Sequence, residues 1–166
     1  MTKLRPSAST AVVRIGRVGL RVVWTHAGVA LVDEADELIE DIEERLRMRL
    51  VKGRMPPLIR EALQAAGRGH EFDVPVDLSW ETEYAQEVIA AAMRIPRGQT
   101  RSYAWLAREA RRPLAIRAAA SVMARNPLWL LVPCHRVIAS DGTIGSYGSS
   151  GVARKRALLA REGVRL

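Results

Sequence analysis

Ser102-Tyr103-Ala104-Trp105-Leu106-Ala107-Arg108-Glu109-Ala110 and Leu114-Ala115-Ile116-Arg117-Ala118-Ala119-Ala120-Ser121-Val122-Met123-Ala124-Arg125 flank the triplet Arg111-Arg112-Pro113. Ser102 is a good N-cap, since its short side chain can accept a hydrogen bond from the first turn of a helix over 103–110. The Arg-Arg-Pro triplet makes a tight turn, and a second helix follows from Leu114 to about Arg125. Two short helices about a three-residue turn have helix-turn-helix spacing. The second is rich in alanine, so its backbone can come close to a ligand. Read alone, the pair is either a DNA-reading element or a helix pair of an ordinary core.

Upstream, Thr82 caps a helix predicted over 83–93, with Tyr84, Val88 and Ala92 on one face, and Pro96 and Gly98 close it. Downstream, Leu128 to Val132 is a buried apolar run that enters Pro133-Cys134-His135-Arg136. A Gly- and Ser-rich loop over 140–151 leads to a last helix over 152–162, with Gly163 as its C-terminal stop. Residues 1–10 read as a loose basic arm, 11–24 as a strand or hairpin and 28–32 as a short strand. A helix is predicted over 34–50, where Leu38, Ile42, Leu46 and Leu50 recur at helical spacing. Met55-Pro56-Pro57 breaks the chain before a helix over 58–66, and Gly67 and Gly69 end it. Residues 72–78 read as a short strand or linker. The expected architecture is an α/β domain over residues 1–74, with a small antiparallel sheet and helix, and a mainly helical domain with a helix-turn-helix over 75–166.

Charge divides the same way. Residues 1–90 carry 12 basic against 15 acidic side chains, net −3, and residues 91–166 carry 14 against 3, net +11. A basic half on a mildly acidic one points to a polyanion as partner, although an Arg-rich codon usage also raises the count. No apolar run is long enough to cross a bilayer, and no apolar stretch follows the charged N-terminus as a secretory signal would require. One cysteine excludes an internal disulfide and a cysteine-rich zinc site, and a lone thiol suits the reducing cytoplasm.

That cysteine, Cys134, is nucleophilic only as the thiolate and needs a base or cation beside it. His135 adjoins it in sequence, and a distant carboxylate such as Glu162 could orient the imidazole. Without further evidence a lone cysteine is more often a small buried apolar residue, and its neighbouring histidine more often structural. Asn126 is the only asparagine in the chain and lies eight positions before Cys134. It either carries a specific hydrogen bond or makes an Asx turn ahead of Pro127.

Pro133-Cys134-His135-Arg136-Val137 resembles the active-site signature of the O6-alkylguanine-DNA alkyltransferases. The likeness extends through Ile95-Pro96-Arg97-Gly98-Gln99-Thr100-Arg101-Ser102-Tyr103, Arg117, Met123, Asn126 and Pro127, and on through Gly145, Tyr147, Lys155, Leu158, Leu159, Glu162 and Gly163. It covers residues 72–166 and is weak over 1–71. The resemblance implies direct-reversal DNA repair: irreversible, one-for-one transfer of a methyl or other alkyl group from guanine O6 in duplex DNA to Cys134, with O4-alkylthymine as a further candidate lesion. In that reading the protein is a methylated-DNA–[protein]-cysteine S-methyltransferase that turns over once, acts as a monomer and needs no cofactor, metal or protein partner. His135, through a water and held by Glu162, takes the thiol proton. Tyr103 donates toward guanine N3, and Asn126 braces the turns about the cysteine. Val137, Tyr147, Gly148, Trp129 and Lys155 form the guanine pocket. Arg117 replaces the extruded base, while Ala115, Ile116, Ala118, Ala120 and Ser102 meet the minor groove.

This chain departs from the family in four places. Trp129 stands where some members have proline, which bears on tolerance of bulky alkyl groups. The loop 146–151 is one residue longer than in some relatives, Ile116 is larger than the usual residue, and the N-terminal half lacks the zinc cysteines of some members. Three rivals make different predictions. A non-catalytic lesion binder of the same fold would lack the cysteine. A Cys-His hydrolase would turn over and need no basic half. A helix-turn-helix regulator would show no lesion preference.

Overall fold

In the computed structural model, which describes residues 5–145 and 151–166, the chain forms two compact units. The first comprises residues 1–80 and 127–131, and the second 81–126 and 132–166.

The first unit is built on a four-stranded sheet. β1 (Ser7–Ile15) and β2 (Val18–Trp24) make the hairpin expected over 11–24, although β1 begins inside the stretch read as a loose arm. β3 (Val29–Glu34) pairs antiparallel with β2. α1 (Ile39–Leu46) then crosses over to β4 (Arg49–Lys52), which joins β1 in parallel, so the order is β3-β2-β1-β4 and the sheet is mixed. The helix expected over 34–50 is therefore shorter. Ile42 and Leu46 are buried on it, but Leu38 precedes it and is exposed, and Leu50 lies in β4. Four leucine-type positions at helical spacing do not reveal that residues 49–52 find a better partner in a strand 40 residues away.

α2 (Pro57–Gly67) starts on its proline, whose missing N–H costs nothing in a first turn. Residues 75–77 belong to the first unit because they run along β3. The Val29 amide donates to the Pro75 carbonyl and the Asp77 amide to that of Val29, at 2.9 and 2.8 Å. Gly28 permits this approach: its φ is +146°, and a Cβ there would lie 2.3 Å from the Pro75 oxygen. This pairing moves the division from residue 74, where the sequence places it, to residue 80. Residues 127–131 join the same unit, and the Val32 amide donates to the Pro127 carbonyl at 2.8 Å.

The second unit is mainly helical. α3 (Glu83–Met93) is capped by Thr82, whose hydroxyl accepts from the Ala85 amide, and it buries Tyr84, Val88 and Ala92 as the pattern requires. β5 (Arg101–Ser102) leads into α4 (Tyr103–Glu109), where the Ser102 hydroxyl accepts from the Trp105 amide. α5 (Ile116–Ala124) follows the Arg-Arg-Pro turn, starting two residues later than the sequence suggests. β6 (Val137–Ile138) pairs in parallel with β5, and α6 (Gly151–Arg161) closes the described chain, with Gly163 at φ +85° just beyond its end. No helix among the described residues is long and apolar enough to cross a membrane.

Candidate active site

Cys134 opens a single 3-10 turn, Cys134–Arg136, fastened by bonds from the Cys134 amide to Val132 O and from the Arg136 amide to Pro133 O. The turn feeds directly into β6, whose pairing with β5 sets Val137 against Arg101 and Ile138 against Ser102. Two residues of parallel sheet thus bring the cysteine segment alongside the start of α4, where Tyr103 stands.

The thiol is buried, 6% exposed. Asn126 follows α5 and donates from Nδ2 to Cys134 Sγ at 2.7 Å, so the only asparagine in the chain bonds the only sulfur of a cysteine. Burial pushes the thiol up to about 11, against the hydrogen bond from Asn126 and the nearby charge of Lys155, which both favour the thiolate. At neutral pH the group is a thiol, and reaction requires a base.

Lys155 is fully buried on the inner face of α6, one turn before Leu159. Its ammonium donates to the Val137 carbonyl at 2.5 Å and lies 5.8 Å from the centre of the Tyr103 ring. Burial depresses it to about 8, opposed by the charge Cys134 would carry. The Tyr103 hydroxyl is raised, first by burial and then by Cys134. Cys134, Asn126, Lys155 and Tyr103 therefore form one electrostatic cluster, in which Asn126 and Lys155 favour a negative sulfur and burial outweighs them.

A second cluster centres on Glu162, immediately after α6. His135 Nε2 lies 2.8 Å from Glu162 Oε1. Arg136 Nε and Nη2 donate to the same carboxylate at 3.0 and 2.9 Å, and Nη1 donates to the Ile95 carbonyl at 2.7 Å. The Gly98 amide donates to Oε2 at 3.2 Å from a left-handed turn with φ +75°. Burial alone would raise the Glu162 carboxyl, but these hydrogen bonds together outweigh it and bring the group down to about 2. An ionised Glu162 accepts from Nε2–H, which leaves Nδ1 as the free lone pair of His135. Burial holds the His135 pKa below its ordinary value against the pull of Glu162, and Arg136 reinforces burial. The imidazole is therefore neutral and able to accept a proton at neutral pH.

Arg136 belongs to the segment Pro133–Val137, yet its part in holding Glu162 was missed. The available signal was scarcity. Residues 91–166 hold three acids, Glu109, Asp141 and Glu162, so an arginine beside His135 has few carboxylates to meet.

Along α5, Ala115 stands at the N-terminal end, Ile116, Arg117 and Ala118 are exposed, and Ala120 is half-buried. The Ser102 hydroxyl caps α4. The Val137 carbonyl already accepts from Lys155. Trp129, half-buried, belongs to the stretch 127–131 of the first unit. Tyr147 and Gly148 lie outside the described residues. No group of three or more His, Cys, Asp or Glu side chains that could hold a metal ion occurs among the described residues.

Residues 83–164 match the family model of the 6-O-methylguanine DNA methyltransferase DNA-binding domain. The methylated-DNA–protein-cysteine methyltransferase of Methanothermobacter thermautotrophicus is 45% identical over 156 residues, 90% of this chain and 82% of that protein. Its counterpart in Mycobacterium tuberculosis is 45% identical over 97 residues, 58% of each chain, so the matched stretch spans little more than half of that relative. The crystal structure of Mycobacterium tuberculosis OGT in complex with DNA is 33% identical, with a TM-score of 0.68, over 94% of this chain and 92% of that one. The Mycobacterium tuberculosis O6-methylguanine methyltransferase structure gives the same TM-score at 32% identity.

Proposed function

Since this chain belongs to the O6-methylguanine-DNA methyltransferase family, we propose that it repairs DNA by moving the alkyl group of O6-alkylguanine onto Cys134 in a single, irreversible turnover. The observation that carries the reading is the buried thiol bonded by Asn126, followed in sequence by a neutral His135 locked to Glu162.

The reaction balances simply. His135 Nδ1 takes the thiol proton, with a water between them. The sulfur electron pair attacks the alkyl carbon, and the carbon–oxygen bond breaks with its electrons passing into the guanine ring. The base takes a proton, for which Tyr103 is the donor at N3, and leaves as guanine. A thioether is a poor leaving group, so the thiol is not regenerated, and the chemistry itself calls for no cofactor. Asn126 and Lys155 stabilise the sulfur charge that develops, and preorganised donors of this kind are strongest where water is excluded.

The lesion oxygen is buried in a stacked duplex, so the base must be extruded. Arg117, exposed near the start of α5, is the side chain we assign to filling its place. Ala115, Ile116, Ala118 and Ala120 give α5 a face shallow enough to enter the minor groove, and Val137 and Lys155 are the described residues of the second unit that we assign to the guanine pocket. The second unit carries DNA binding and transfer, the first unit supports it, and the lone thiol fits a reducing cytoplasm.

Intact mass after mixing with a duplex bearing one O6-methylguanine tests this. One methyl on Cys134, saturating at one per protein, is the expected result. Lesion-selective binding without an adduct would leave a non-catalytic lesion binder.

A further inference from the structure

α4 ends in a way that its sequence makes costly. The Arg111 amide donates to Arg108 O and the Arg112 amide to Ala107 O, both at 2.9 Å, which is the paired bonding of a Schellman motif. That motif places its turning residue in the left-handed region, where glycine is the usual occupant. Here the residue is Arg111, at φ 56°. A Cβ in that conformation crowds the following carbonyl, so arginine is tolerated there at a cost in stability.

The turn is also set up to present positive charge. Arg111 and Arg112 are exposed, and neither is paired with a carboxylate among the described residues. A carboxylate is close in sequence, since Glu109 lies two positions before Arg111, but it pairs with Arg94 at 2.8 Å. The Arg112 guanidinium lies 5.2 Å from the centre of the Tyr84 ring, a cation–π contact that limits its wandering. The Tyr84 hydroxyl donates to the Ala115 carbonyl at 2.9 Å, so the same α3 side chain also holds the start of α5. Leu114, next after the turn's proline, is 98% exposed, so the turn stands clear of its own unit.

We propose that the Arg111–Arg112 turn is a phosphate-binding element for the DNA backbone, separate from the α5 residues assigned above to base replacement and the groove. This rests on the DNA-repair reading, since it takes duplex DNA as the ligand. Its chemistry is that of a phosphodiester meeting two exposed guanidiniums, one of them held over the Tyr84 ring, which positions the duplex without reading its sequence.

The first unit supplies an internal control. α1 ends with the same two bonds, from Arg47 to Glu44 O and from Met48 to Glu43 O, and Arg47 is likewise left-handed, at φ 55°, and exposed. Arg47→Gly and Arg111→Gly should therefore both raise the melting temperature, by roughly 2–4 °C for a chain of this size. Only Arg111→Gly should weaken binding to an undamaged duplex, by roughly 5–10-fold at 0.1 M salt, and lower the slope of log affinity against log salt by about 1. Arg111→Lys should keep that slope without the gain in melting temperature.

Wild-type affinity and slope retained in Arg111→Gly, with the melting temperature raised, would overturn the proposal. So would an equal loss of affinity in Arg47→Gly. Adduct formation by the wild type, scored in parallel, separates the two readings. A wild type that transfers methyl while Arg111→Gly binds as it does overturns the phosphate contact alone. A wild type that binds no duplex overturns the reading beneath it.

Discussion

The two units bury different kinds of matter. In the first, Leu20, Val22, Val23, Leu31, Ile42, Leu46 and Leu63 are sealed from water, and the polar groups buried with them, Thr10 and Asp77, are both hydrogen-bonded. In the second, Lys155 and Asn126 are buried beside the thiol, and Arg136 is buried against Glu162. Buried ions seldom repay their desolvation with stability, and well-packed hydrocarbon of the same volume commonly does better. A unit that keeps such groups inside is shaped for something other than stability. The difference can be attacked from either side.

The largest effect is expected at the sulfur. Cys134→Ala should leave no methyl adduct by intact mass at any time, with DNA binding retained. An adduct that persists would show that another side chain is the acceptor, and the charge cluster around Cys134 would then need a different explanation.

Next comes Glu162→Gln. It removes the charge that Arg136 and His135 both meet, leaving the buried Arg136 guanidinium against a neutral amide. A cost of about 3–5 kcal/mol in urea unfolding is expected from breaking one side of a buried pair. Transfer should slow about 100-fold or more, because His135 loses the charged acceptor that fixes its tautomer and stabilises the imidazolium. An unchanged rate would remove His135 from the mechanism.

The pH dependence follows from the same groups. Glu162 has a depressed folded pKa, about 2, so its contribution to stability is whole above about 4.5 and is lost as pH falls toward 2. His135 is also depressed, so transfer should hold through pH 6.5 and decline only below it. A decline centred above 6.5 would mean that the imidazole is more basic than its burial allows.

The converse test lies in the first unit. Ile42→Ala opens a cavity under the sheet and should cost about 2–5 kcal/mol, while the transfer rate of the folded protein stays at the wild-type value. A slowed rate in protein shown to be folded would mean that the hydrocarbon unit does more than support.

Much of this was legible in the sequence, for physical reasons. Thr82 and Ser102 announce α3 and α4 because capping is a contact over three residues. The residues alone left Glu162 as one carboxylate that could orient His135, the resemblance implied the pair, and the structure brings them to 2.8 Å. What escaped was non-local. Residues 49–52 carry a helical pattern yet pair with β1, and residues 75–77 and 127–131 join the first unit through backbone bonds that no periodicity reports. The direct bond from Asn126 to the sulfur escaped too, because an asparagine before proline looks the same whether it makes a turn or reaches a thiol.

The smallest effect makes the finest comparison. Thr82→Ala and Ser102→Ala each remove one capping acceptor, from α3 and α4 of the same unit, and each should cost about 1 kcal/mol. Thr82 has no assigned part in DNA binding. Ser102 immediately precedes Tyr103 and pairs with Ile138, four residues past the cysteine. If its hydroxyl only caps, the two variants should lose stability alike and bind duplex alike. If it also donates to a phosphate, as its place in the helix-turn-helix implies, Ser102→Ala should bind duplex about 3-fold more weakly than Thr82→Ala at matched stability. A hydroxyl can serve both, because accepting from the Trp105 amide leaves its own proton free to donate. Equal affinities would confine Ser102 to the cap and leave the exposed arginines of the helix-turn-helix to carry the backbone contacts.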